Sequence, residues 1–277
     1  MNSNIEHVKQ ALLEALNKDQ LVLPTLPEIA LKVREAANDP NIDIKRLNSL
    51  IGSDAALSAR IIKVANSPLV RSKQTIENLP AALSRLGITY SCNLAMGLAM
   101  EQMFQATNEM IDRRMRETWA RSAEVAAIAN VLAQSYTKLQ ADQATLAGLT
   151  HLIGVLPILT YIEEQGILLD PDQSEQLDDL IANLSPQLGE SILRTWSFPE
   201  AIVKVPSQHS NYQRDCAEVD YVDVVIVAKL QSYGSESPDT ELSWEQIPAF
   251  AKLGLAESEE SLELSDLDLD MTTNALL

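Results

Sequence analysis

The stretch ATLAGLTHLIGVLPILTYIEE, residues 144–164, decides how this chain is read. It is an apolar helical run, expected to span roughly 140–163. Its core from Leu146 to Ile162 is short for a membrane crossing and carries a His and a Pro, so it reads as a buried core helix. One imidazole, His151, lies inside it, followed by Leu152, Ile153 and Gly154. Whether His151 is half of a metal-binding pair decides between a hydrolase and a chain that only resembles one.

Outward from that stretch the pattern stays helical. Ile5, Val8, Leu12 and Leu16 fall three or four apart and predict an amphipathic first helix. Pro24 and Pro27 stand where they can open a helix, with Ile29, Val33 and Ala37 as its buried stripe. Asp43 caps the next short helix, which ends near Gly52; Ser53 or Asp54 caps the one after, and Ser67-Pro68 stops it. Two helices broken at Gly87-Ile88 follow, with Asn78 and Thr89 as caps. A long helix runs from about Asp112 to Tyr136 with Trp119 on its buried side. Beyond the opening stretch come shorter helices at about 172–183, 185–196 and 199–204, then YVDVVIVA in helical spacing, then a small last helix in SWEQIPAFAKLG. The fold class expected is all-α, with residues 1–108 as an N-terminal helical bundle, 109–256 as a second helical subdomain and 257–277 as an acidic tail.

Composition agrees. The 277 residues are 46% apolar and hold only 9 Gly, and Ala, Leu and Glu enter helices at little cost. Net charge is −18, from 39 acidic and 21 basic residues, a field that repels phosphate backbones and argues against nucleic acid as a partner. Ser235–Asp270 holds eleven of those acids and one Lys, so the rest carries about −8. Its ESEESLELSDLDLD reads as a solvated end, and alternatively as a strip that docks on a basic groove. Cys92 and Cys216 have no pairing or metal spacing. With no basic leader and no membrane span, a cytoplasmic location is expected.

The order of several short marks then carries a resemblance. Leu23-Pro24 with Leu26-Pro27, Ser53-Asp54, Ala65-Asn66-Ser67, Leu86-Gly87, Trp119, Gly148-Leu149, His151, Gly154, Trp196 and Pro199-Glu200 succeed one another in the order of the HDOD family, the HD-related output domains. The chain resembles that family over roughly residues 18–215. The resemblance implies a helical bundle leaning on a subdomain shaped like an HD phosphohydrolase, used in bacterial signal transduction as an output or scaffold module.

Enzymes of the HD superfamily hold a metal with an early His, a His-Asp doublet and a later Asp. Imidazole and carboxylate donors together fix a divalent ion, which lowers the pKa of a bound water. In this sequence the doublet reads His151-Leu152, and leucine has no lone pair to give. By the same alignment Arg121 takes the early His position, and a guanidinium cannot ligate a cation. Asp220 and Asp223 approximate the later carboxylate, and His209 is the other histidine of this half. His151 therefore has three readings: one member of a metal site completed by other groups, a core imidazole hydrogen-bonded to a carbonyl, or the wall of a vestigial pocket for an anion. Arg121, His151, His209, Asp220 and Asp223 are the candidate pocket. Arg60 and Lys63 share one helix face, read as solvated or as touching an anion. The expectation is a non-catalytic signalling module with no metal and no cofactor, acting on a small ligand or on a signalling protein supplied in trans. The alternative is a metal-dependent phosphohydrolase.

Overall fold

The computed structural model describes residues 3–17, 23–70, 74–167, 173–232, 242–255 and 266–277. Among them every regular element is helical, and no strand is present. The first half contains α1 (Ser3–Asn17), α2 (Glu28–Ala37), α3 (Ile44–Ile51), α4 (Ala55–Ala65), α5 (Leu79–Leu86) and α6 (Ile88–Ala99). Local chemistry sets their starts. The carboxylates of Asp43 and Asp54 accept from the backbone N–H groups of Arg46 and Leu57, and the Asn78 amide oxygen accepts from Ala81. Such a cap is worth about 1 kcal/mol. Between α5 and α6 the cap differs from the expected Thr89. Gly87 fills that place at φ +81, ψ 165, a conformation that side-chain-bearing residues rarely adopt, and this lets one helix end and the next begin without a linker.

The second half opens with α7 (Glu109–Tyr136), 28 residues and so about 42 Å long. It continues through α8 (Ala141–Thr150), α9 (Val155–Glu164), α10 (Ser174–Thr195), α11 (Glu200–Val203), α12 (Val205–Gln208), α13 (Tyr221–Ser232) and α14 (Pro248–Lys252). The single helix expected over 140–163 is two. Residues 151–154 turn between α8 and α9, and the reason lies in the glycines. A Cβ on Gly148 would sit 2.4 Å from Ala126 Cα, and one on Gly154 would sit 1.9 Å from the Ser185 carbonyl oxygen. The chain passes α7 and α10 at backbone contact and changes direction between them. By length and composition Ala141–Glu164 is apolar enough to cross a membrane, yet 83% of its apolar 18-residue window is buried inside the molecule.

Elsewhere two expected helices are one. α10 runs unbroken across Pro186. That proline has no N–H for the Ala182 carbonyl, and both residues line a cavity described below, so the helix loses one bond without ending.

The halves are not separate bodies. The hydrophobic core runs unbroken across the chain segment at Asn108, which itself caps α7. α6 is buried from Cys92 to Ala99 apart from half-buried Asn93, and it lies against α2 on one side and α8 on the other. Polar groups cross the seam too. The buried Asn130 amide donates to Tyr90 Oη at 2.9 Å and to Thr145 Oγ1 at 2.7 Å, and Asn93 donates to Asp142 at 2.7 Å. Trp196 Nε1 donates to the Pro24 carbonyl at 3.0 Å, while Arg34 reaches back to the Trp196 carbonyl.

The end of the chain corrects the solvated-tail reading for its last residues. Asp266–Leu276 form α15, which packs on α4 and α7 with Thr272, Ala275 and Leu276 buried. Arg60 donates to the Leu276 carbonyl and pairs with Glu101, and Lys63 donates to the Asn274 carbonyl. Lys63 is exposed, as a solvated face requires, while Arg60 is half-buried against Glu101. They satisfy the orphan carbonyls at a helix C-terminus, where cations are favoured. The remainder of the acidic stretch, residues 256–265, lies outside the described residues.

Candidate functional site

α7, α10, α13, the turn after α8 and the segment after α12 enclose a cavity of about 610 Å³. Three of the five candidate residues meet there: Arg121, His151 and His209. His151 caps the C-terminus of α8, and its Nδ1 lies 2.6 Å from the Gly148 carbonyl oxygen. A carbonyl can only accept, so Nδ1 carries a proton. This is the carbonyl-bound imidazole among the three readings, placed on a cavity wall. The rings of His151 and His209 stand at 90° with centroids 5.0 Å apart. His209 is buried, and burial first, then the Lys229 ammonium, then His151, hold its pKa well below the ordinary imidazole value.

Arg121 comes from α7. Its Nη1 lies 2.9 Å from Glu124 and 3.2 Å from Ser232 Oγ, the latter on α13. Leu152, at the position where an HD doublet needs a carboxylate, lines the cavity as an apolar wall.

Asp220 and Asp223 do not reach this cavity. They lie at the start of α13 among cations. Lys204 meets Asp220 at 2.5 Å, Arg214 meets Asp220 at 2.5 Å and Asp223 at 2.9 Å, and Lys252 meets Asp223 at 3.2 Å. Burial raises the pKa of Asp220, but hydrogen bonds from Lys204 and Arg214 outweigh it and hold the carboxyl below its ordinary value. With Cys216, these two carboxylates form a group whose candidate ligand atoms lie within 4.8 Å of one another among the described residues. Three cations already neutralise it, so it is an ion-pair knot bracing α13.

What faces the cavity from α13 is Lys229. Six residues separate it from Asp223, about 9 Å along the helix and about 120° around it, so the two point to different places. Lys229 is 8% exposed, and its Nζ lies 2.9 Å from Tyr212 Oη and 3.5 Å from Ser210 Oγ. At the mouth Arg114 of α7 pairs with Asp178 of α10. Lys229, Tyr212, Ser210 and Arg114 were not among the candidate residues. The available signal was Lys229 itself, a lone cation in the apolar run YVDVVIVAKL.

The model of the HDOD domain family matches residues 23–212. The chain belongs to the HDOD family. Among solved structures, this HDOD chain is 35% identical to a candidate metal-dependent phosphohydrolase from Shewanella amazonensis SB2B, covering 99% of this chain and 100% of that one at a TM-score of 0.88. An HDOD protein of unknown function from Geobacter sulfurreducens matches at 21% identity, TM-score 0.63, over 98% of this chain and 92% of its own. A candidate signal transduction protein from Marinobacter aquaeolei VT8 matches at 20% identity, TM-score 0.62, over 99% of this chain and 66% of its own. The last two share the fold alone. A curated protein of Treponema pallidum (strain Nichols), uncharacterized, is 24% identical over 238 residues, 82% of this chain and 44% of that protein. The HDOD chain thus spans less than half the length of this relative.

Proposed function

We propose that this HDOD chain is a non-catalytic regulatory module, acting in the cytoplasm by binding a small ligand or a signalling partner rather than by turning over a phosphoester. The observation that carries the reading is the set of groups around His151. Arg121 and Lys229 face the cavity where metal chemistry needs lone pairs, and Leu152 replaces the carboxylate of an HD doublet. The nitrogen donors are the two imidazoles of His151 and His209. Of the two carboxylates on the cavity, Asp178 is held by Arg114, and Glu117 is exposed. A divalent ion does not fit this donor set, because fixed cations beside it would repel it and too few ligands would hold it.

The test is metal content by elemental mass spectrometry on untagged protein purified without chelator, with hydrolysis of a phosphoester panel in parallel. Metal near zero and no turnover above the His151→Ala variant are expected. About one metal ion per chain, with hydrolysis abolished in His151→Ala, would overturn the reading. That outcome would establish the second reading, a metal-dependent phosphohydrolase, which the Shewanella amazonensis relative favours by its name at 35% identity.

A further inference from the structure

We infer that the surface of α4 and α7 beneath α15 is a docking site for a partner protein, which seats the C-terminal end of an α-helix there in place of α15. The inference goes beyond the regulatory reading, and Arg60, Lys63 and Trp119 of this site take no part in lining the His151 cavity. The first support is what the site recognises. Arg60 Nη2 donates to the Leu276 carbonyl and Lys63 Nζ to the Asn274 carbonyl. Both acceptors are main-chain groups that any helix leaves open in its last turn, so the two cations read a helix end rather than the sequence of α15. Side-chain selection comes from one stripe, Leu269, Thr272, Ala275 and Leu276, three and four residues apart, which is how a helix lies in a groove. The turn Pro68–Val70, with Leu69 buried, borders the same groove.

The second support is that α15 leaves the site incompletely used. Arg60 Nε and Trp119 Nε1 are buried, and neither has a hydrogen-bond partner among the described residues. The same guanidinium that holds the Leu276 carbonyl lies 6.0 Å from the Trp119 ring centre, so the two donors belong to one neighbourhood. A buried donor without an acceptor is costly, and an occupant that brings one more acceptor there is held more tightly than α15. The apolar hold on α15 is also small. Apart from Leu276, its buried side chains are those of Thr272 and Ala275, which remove little area from water.

The third support decides between occupants. A second copy of this chain would trade one α15 for an identical one, gain no contact and still lose the freedom of two separate molecules. A partner whose helix adds an acceptor gains what that exchange does not. α15 follows Leu255 by the short connection 256–265, so it competes from within the same chain at a high effective concentration, and only a matched helix displaces it. The partner's helix therefore carries a small apolar stripe, two open terminal carbonyls and a further acceptor in its last turn.

The experiment titrates a fluorescein-labelled peptide of residues 266–277 with the full chain carrying Ala275→Asp and Leu276→Asp, two changes that drive α15 from its seat by burying carboxylates. The peptide should bind this opened chain with a Kd below about 200 μM. Wild type should bind it at least about tenfold more weakly, because its own α15 competes. Arg60→Met in the opened chain should weaken binding at least about tenfold, and a scrambled peptide of the same composition should not bind. A second format guards against an opened chain that fails to fold: full chain cut at a protease site placed within 256–265 should exchange its α15 for the labelled peptide. No binding in either format, equal binding of the scrambled peptide, or no effect of Arg60→Met would overturn the inference. Light scattering of wild type at about 100 μM should give a monomer. A dimer abolished by Ala275→Asp would make a second copy the occupant and overturn the assignment to a partner. None of these outcomes alters the metal and turnover test of the regulatory reading.

Discussion

Burial, and after it the Lys229 ammonium, sets the state of the His209 imidazole. Folding buries the imidazole beside a fixed ammonium, so the native state holds His209 neutral while the unfolded chain takes up a proton at an ordinary value, about 6.5. The native state therefore binds fewer protons below that pH. The stability this contributes is full above pH about 6.5 and falls as pH drops below it, by at most about 1.4 kcal/mol per unit. Urea unfolding of the wild type should show a midpoint falling from pH about 7.5 to about 5.5, and His209→Gln should flatten that slope. Equal slopes in both proteins would assign the effect elsewhere. Asp220, held low by Lys204 and Arg214, adds loss only nearer pH 4, where the unfolded chain takes up a proton that the native carboxyl does not. At this scale the sequence was partly legible. Leu152 after His151 is plain in one dimension, and so is a permanent cation at Arg121. That Lys229 rather than Asp223 faces the cavity depends on how α13 is rotated in its bed, and a helix buried on every side has no amphipathic stripe to reveal it.

Helix identity was mostly legible because caps and stops are local. Asp43, Asp54 and Asn78 act where their side chains reach the next turn, and the order of residues is enough to find them. Breaks decided by a neighbouring element were not. The turn at 151–154 follows from backbone contact of Gly154 with α10, and α10 survives Pro186 because its other bonds outweigh one lost acceptor. α15 was missed for a related reason: Leu alternating with acid in DLDLD has no strong helical face, and its stability comes from where it docks. The two cations of α4 make that docking specific. Arg60 holds Glu101 and the Leu276 carbonyl, with its guanidinium 6.0 Å from the Trp119 ring centre. Arg60→Met should loosen α15 by about 2 kcal/mol, which hydrogen exchange over 266–276 would report as about 30-fold faster, with α8 unaffected. Unchanged protection would show that the apolar contacts of Ala275 and Leu276 suffice alone.

Across the whole molecule, a bundle and an HD-like half share one core. Leu and Ile side chains from both sides of Asn108 belong to a single cluster, and Tyr90, Asn130, Thr145, Asn93 and Asp142 bond across it. Neither half can lose its packing without exposing the other, so unfolding should be one cooperative transition. Tryptophan fluorescence, reporting Trp119 and Trp196 near the seam, and far-UV circular dichroism should give coincident urea curves. Two separated transitions would mean that the halves are held together only weakly. The division near residue 108 was visible as a change in pattern. The continuity across it was not, because apolar residues announce that they will be buried without announcing against what.

The α15 clasp also sets an order of events during synthesis. Arg60 and Leu276 are 216 residues apart, so the contact that braces α4 against α7 closes one of the longest loops in the chain. A ribosome adding about 5–20 residues per second exposes α4 many seconds before α15 emerges. Through that interval the surface of α4 and α7 that α15 will cover, with Arg60 at its centre, stands open on the nascent chain. The buried end of this helix is thus also a timer, and whatever attends the growing chain meets that surface before α15 does.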